Sequence, residues 1–263
     1  MGTSKYGMTE IKFYKLKDFD KGCSRRSLFA ILEHEGKIKG ISQYYSTKLL
    51  YTKTKLLDYF INKFSAKAED DFSYKVGSKF DIRLEREDIS PIIDNLEKLI
   101  ADHEITVMRA NIPVTYEYKG IEVTLNCDAK GTFDGDLVIF KLNTTTRFNR
   151  EDAYELVCIN TIATTSDGEH YRLIVLKLGN GDFREVFEDG DRNKNGTLKK
   201  NGIPEWTTLQ NEIDDRIENV SAVLEGIENS PEEYDIPTFG SCGTCPYHNV
   251  EITFGGKTII CVG

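Results

Sequence analysis

The chain has 263 residues, six cysteines and a formal net charge of −9. At 39% hydrophobic residues it can bury one large core, whereas no apolar run reaches the roughly 18 residues of a membrane span and the N-terminus lacks a signal-peptide core. The expectation is a cytoplasmic protein without membrane contact, whose acidic surface repels a phosphate backbone except across a local basic groove.

In chain order, residues 1–20 alternate weakly through Ile11, Phe13 and Leu16 and read as an edge strand or a loose arm. Cys23-Ser24-Arg25-Arg26 opens a helical pattern, Leu28, Phe29, Ile31 and Leu32, that stops near Gly36. A second helix is predicted over 47–64, from Leu49, Leu50, Leu56, Leu57, Phe60 and Ile61. Residues 67–80 are polar and read as a loop. Ser90-Pro91 starts a helix through about His103, with the proline in its first turn.

Residues 105–118 and 121–128 form a hairpin around Lys119-Gly120. Along the second of these strands Ile121, Val123, Leu125 and Cys127 alternate with Glu122, Thr124, Asn126 and Asp128. Gly131 and Asp134-Gly135-Asp136 supply turn residues. Leu137-Val138-Ile139-Phe140 is then a continuous apolar run, as in a strand buried on both faces, and it ends in Lys141-Leu142-Asn143. Period two puts Lys141 and Asn143 on one face, across the hairpin from Asp128. A helix over 150–163, strands over 171–177 and 183–187 around Gly179-Asn180-Gly181-Asp182, and a long helix over 206–227 follow. A proline-punctuated stretch leads to Cys242-Gly-Thr-Cys245 and then Cys261, across a hairpin turned at Gly255-Gly256.

Asp128, Lys141, Asn143 and the cysteine set carry a resemblance. The layout resembles the RecB-type PD-(D/E)XK nucleases, specifically the iron–sulfur branch that includes CRISPR-adaptation and AddB-like exonucleases. The resemblance implies an α/β restriction-endonuclease-like core, a mixed sheet flanked by helices, with N-terminal helices and a C-terminal metal-binding cysteine tail. On that reading 1–263 is a single domain: a helical part at 1–104, the nuclease-like core at 105–188, and a helix with the cysteine tail at 206–263.

The catalytic pattern departs from the family. Asp128 matches the first metal-binding acid, but Lys141 stands where the second acid belongs and Asn143 replaces the lysine. The predicted helix at 47–64 lacks the family's histidine, and Glu155 falls where a glutamine is usual. Two carboxylates hold Mg²⁺ or Mn²⁺ because hard oxygen ligands and negative charge offset the ion's dehydration. An ammonium at position 141 opposes that and pairs with Asp128 instead, so neither ion is expected there. The expected function is a catalytically degenerate binding module of DNA processing, for single-stranded DNA or a protein complex. The alternatives are an active exonuclease with a relocated acid, drawn from Glu122, Asp134, Asp136 or Glu155, and a structural subunit of a larger assembly.

In the iron–sulfur branch a lone N-terminal cysteine joins a C-terminal group. The resemblance therefore implies a 4Fe-4S cluster, or alternatively zinc, held by Cys23, Cys242, Cys245 and Cys261. The alternative reading is that Cys242 and Cys245 flank an unligated turn and that Cys23 and Cys261 are buried small hydrophobes. Cys127 and Cys158 read as core. Arg25, Arg26, Lys53 and Lys55, interleaved with Tyr44, Tyr45 and Tyr51, are candidates for a nucleic-acid groove, or a solvated face. Asp191 to Leu198 resembles half of a calcium loop, but position twelve is Gly202, and the segment reads better as a solvated turn.

Overall fold

The computed structural model describes residues 7, 9–19, 23–38, 86–234, 245, 247, 248, 250–254 and 257–261. In chain order the elements are β1 (Glu10–Lys12), a 3-10 segment (Phe13–Phe19), α1 (Ser24–His34), α2 (Arg86–Asp102), β2 (Thr106–Tyr118), β3 (Ile121–Phe133) and β4 (Asp136–Asn143). Then come α3 (Arg150–Asp167), β5 (Arg172–Lys177), β6 (Asp182–Glu185), α4 (Trp206–Asn229), a short 3-10 turn (Pro231–Tyr234), β7 (Glu251–Phe254) and β8 (Lys257–Ile260). The chain separates into two compact units, one from 1–44, 115–124 and 211–263, the other from 45–114 and 125–210. The helix predicted over 47–64 lies outside the described residues. Among those described, no helix is long and apolar enough to cross a membrane.

In the second unit, β3 pairs antiparallel with β4, β4 parallel with β5, and β5 antiparallel with β6. This mixed sheet is flanked by helices. One face carries Ala129 and Phe133 of β3, Val138, Phe140 and Leu142 of β4, and Ile174 and Leu176 of β5, all buried against Ile93, Leu96 and Leu99 of α2. Those α2 residues recur at helical spacing, so one stripe covers the sheet. The opposite face turns Lys130 and Lys141 toward α3, where they meet Asp167 and Glu155. Helix α3 starts at the Asn149 cap, whose side chain accepts the Glu151 N–H, and ends at Gly168 in the left-handed region at φ 71°.

The two hairpin turns explain their sequences. Lys119 and Gly120, at φ 49° and 79°, and Asp134 and Gly135, at 52° and 87°, have both central residues at positive φ, as strands with a right-handed twist require of a two-residue turn. Two expectations are corrected. Gly131 is not a turn residue but lies inside β3, where an added Cβ would come 1.9 Å from the Thr106 carbonyl oxygen; its missing side chain permits the backbone approach. Helix α2 begins at Arg86 rather than Ser90, so Pro91 lies inside it.

In the first unit β1 runs parallel to the start of β3, with Ile11 opposite Val123. Phe13, Leu16 and Phe19 of the 3-10 segment and Leu28, Phe29, Ile31 and Leu32 of α1 are buried. β7 and β8 form an antiparallel hairpin, Glu251 opposite Ile260.

Two outcomes follow from this packing. Gly131→Ala should destabilise the second unit by about 2–3 kcal/mol, because the new methyl meets backbone rather than a flexible side chain; urea denaturation reads the loss. The Asp167 carboxyl is held down to about 2 by hydrogen bonds from Lys130, Ser166 and Tyr171. A depressed folded pKa contributes stability above the ordinary value of 3.8 that is lost as pH falls toward 2. Asp167→Asn should therefore lower the denaturation midpoint at neutral pH and flatten its decline between pH 4 and 2.

Candidate functional site

Antiparallel register sets the geometry. Ala129 lies opposite Phe140, so Asp128 and Lys141 follow the last paired positions of the two strands, and Lys141 turns to the face that meets α3. Both are buried, at 1% and 6% exposure. The Asp128 Oδ2 accepts the Leu142 backbone N–H at 2.8 Å. The Lys141 ammonium forms an ion pair with Glu155 of α3, whose side chain is 18% exposed. The carboxylate takes the place of the hydration that burial removes from the ammonium.

Asn143 organises the chain leaving β4. Its Nδ2 donates to Asp152 Oδ2 at 2.7 Å and to the Arg147 carbonyl at 3.2 Å. Its Oδ1 accepts the backbone and hydroxyl groups of Thr145, both at 2.8 Å. An amide can donate and accept at once; a lysine could not accept, so the neutral residue suits this loop. The structure thus brings Asp128, Lys141, Asn143 and Glu155 together around the end of β4, joined by Asp152, which the sequence did not single out. Next to them the buried Cys127 thiol is pushed up to about 12, chiefly by burial and then by the Asp128 charge.

The other acids stand elsewhere. Asp134 meets His103 at 3.2 Å and Asp136 meets Arg172 at 2.9 Å, both at the turn end of the β3–β4 hairpin. Six residues of strand separate Asp134 from Asp128, about 20 Å. Glu122 is exposed and belongs to the other unit, in register with Glu10. The loop after Asp191 is a closed turn bridged between Arg192 and Leu198. Its buried Asp191 carboxylate accepts the Ile203 N–H at 2.8 Å and pairs with Arg184.

The cysteine region belongs to the first unit. Cys23 caps α1, its Sγ accepting the Arg26 N–H at 3.4 Å. Arg25 is buried and its Nη1 donates to the Ile260 carbonyl, one residue before Cys261. That bond brings the start of α1 against the end of β8. Cys261 is buried and its N–H bonds the Val250 carbonyl at 2.9 Å. Cys245 is half-buried. Tyr247 is fully buried, its ring 5.6 Å from that of Phe29 and its hydroxyl donating to Glu33 Oε2 at 2.6 Å. Burial and that bond push its phenol well above the ordinary range. Burial also works to raise Glu33, but hydrogen bonds from Lys15 and Tyr247 outweigh it and hold the carboxyl below its ordinary value. Cys242 lies outside the described residues, and among those described no three His, Cys, Asp or Glu side chains form a metal-holding group.

The groove candidates find internal partners. Besides the bond of Arg25 to Ile260, Arg26 grips buried Asp18 through Nε at 2.9 Å and Nη2 at 2.6 Å. Lys53, Lys55, Tyr44, Tyr45 and Tyr51 lie outside the described residues.

No protein-family model and no curated protein matches the chain. Among solved structures it is similar to one described as a "putative exonuclease" from Eubacterium rectale, at 13% identity and a TM-score of 0.47, covering 83% of this chain and 82% of that one.

The site yields a stability test. Lys141→Ala leaves Glu155 and Asp128 without the ammonium in a water-poor pocket and should cost about 3–5 kcal/mol. A loss below about 1 kcal/mol in guanidinium denaturation would mean that the pair contributes little.

Proposed function

We propose that the chain is a catalytically degenerate nuclease-fold protein that acts as a binding module in DNA processing. The observation that carries this reading is the Lys141–Glu155 ion pair beside buried Asp128. Metal-dependent phosphodiester cleavage needs a divalent ion to activate water and neutralise charge on the scissile phosphate. Here an ammonium stands at the second-acid position and engages the nearest helix carboxylate, while Asn143 is held by Asp152 and Thr145. The −9 charge, and the internal bonding of Arg25 and Arg26, favour a protein partner over single-stranded DNA.

The module also carries a thiolate metal centre that joins α1 to the tail, a 4Fe-4S cluster with Cys23, Cys242, Cys245 and Cys261 or, alternatively, zinc. The donor chemistry fits: thiols are the ligands both groups take, and the Arg25–Ile260 bond draws the Cys23 end of α1 toward Cys261. When bound, the group would cross-link the two ends of the unit and stabilise it.

The test pairs catalysis with metal binding. Neither Mg²⁺ nor Mn²⁺ should support cleavage of single- or double-stranded DNA, and calorimetry should find no divalent ion at Asp128. The double change Lys141→Glu with Asn143→Lys should restore metal binding at best weakly. Robust Mn²⁺-dependent degradation by the unmodified chain, abolished by Asp128→Ala, would overturn the reading.

A further inference from the structure

In the first unit β1, the 3-10 segment and α1 enclose a hollow of about 310 Å³. That volume lies at the small end of the range for small-molecule sites. Ala30 stands among Leu28, Phe29, Ile31 and Leu32 in the buried run of α1, and its short side chain leaves room beside Ile11 and Phe19, which line the same floor. The Tyr14 ring also lines the hollow and is 61% exposed. The floor is apolar and one wall is aromatic.

The remaining lining is charged or polar, of both signs. Glu10 and Lys12 are exposed and lie on one face of β1, two residues and about 7 Å apart along the strand. Neither they nor His34 of α1 has a side-chain partner among the described residues. The neighbouring Glu33 takes the Lys15 ammonium and the Tyr247 hydroxyl through Oε2, which leaves its Oε1 for a further donor. A phosphate in this hollow would meet two carboxylates as well as Lys12, and a hydrocarbon would strip water from the charged groups without replacing it. A small molecule that carries an ammonium and a carboxylate next to an apolar group answers all of them.

We propose that this hollow binds a free α-amino acid with a large apolar or aromatic side chain. Its ammonium meets Glu10 and the Glu33 Oε1, its carboxylate meets Lys12 and a ring N–H of His34, and its side chain lies on Ile11, Phe19 and Ala30 against the Tyr14 ring. The site is independent of the Lys141 pocket and of the cysteine tail's metal chemistry. Occupancy favours the folded first unit by mass action, so the ligand also raises the thermal midpoint.

Calorimetry on the purified full chain tests this with L-phenylalanine, N-acetyl-L-phenylalanine, L-phenylalaninamide and adenosine monophosphate as probes. L-phenylalanine should bind at one site per chain. The acetylated and amidated forms, each lacking one charge, should bind at least about tenfold more weakly, as should L-phenylalanine to Lys12→Gln. Ala30→Leu fills the floor and should abolish binding. Lys12 is exposed, so its variant decides the matter if Ala30→Leu does not fold. No binding of L-phenylalanine or any other of the twenty amino acids at millimolar concentration would overturn the proposal. So would equal affinity for the acetylated form, indifference to Lys12→Gln, or tighter binding of adenosine monophosphate than of every amino acid.

Discussion

A buried ammonium must meet a carboxylate, and Lys141 meets one on the helix that covers its sheet face. The Lys141–Glu155 pair ties β4 to α3 at the place where the sheet presents its polar residues. Beside it the Asp128 Oδ2 takes the Leu142 N–H, and Asn143 joins the loop after β4 to Asp152. A hydrated divalent ion requires the opposite arrangement, concentrated negative charge with coordination positions open to water. Charge satisfaction inside the fold and metal catalysis compete for the same carboxylates. In this pocket Glu155 pairs with Lys141.

The first unit is organised by a different balance. Among its described residues the tail has two four-residue strands, which pack against residues from the start of the chain. Phe29 receives the Tyr247 ring, Glu33 its hydroxyl, and Lys15 neutralises Glu33. Arg25 adds a bond from α1 to the Ile260 carbonyl. Hydrogen bonds to charged groups are stronger than neutral ones, most of all where water is scarce. Three such residues, Glu33, Lys15 and Arg25, together with the Phe29 ring, therefore hold the stretch that bears Cys245 and Cys261. This also accounts for Arg25 and Arg26, whose sequence position suggests a nucleic-acid surface but whose partners are internal.

Much of the frame was legible from residues alone. The two-residue turns at Lys119-Gly120 and Asp134-Gly135, the strand ending in Lys141-Leu142-Asn143, the helix opened by Cys23 and the helix from Arg150 follow from local chemistry: glycine where φ is positive and apolar spacing. Expectation and structure part where a distant backbone intervenes. Gly131 reads as a turn residue by composition, yet it is a strand residue because the Thr106 carbonyl leaves no room for a side chain. Pro91 reads as a helix start, yet α2 continues one turn before it, its apolar stripe packed on the sheet.

The candidate site divides in the same way. That Lys141 and Asn143 share a face opposite Asp128 is a consequence of period two and a short turn, both local, and the sequence by itself determined it. Which anion balances Lys141, which loop Asn143 holds and which residues receive Tyr247 are settled by contacts between segments far apart in the chain, 214 positions for Tyr247 and Glu33. Charge and hydrogen-bonding capacity are written in each residue; the partner is not. Only the tertiary structure decided that, because the cost of burying a polar group depends on what the fold brings to meet it.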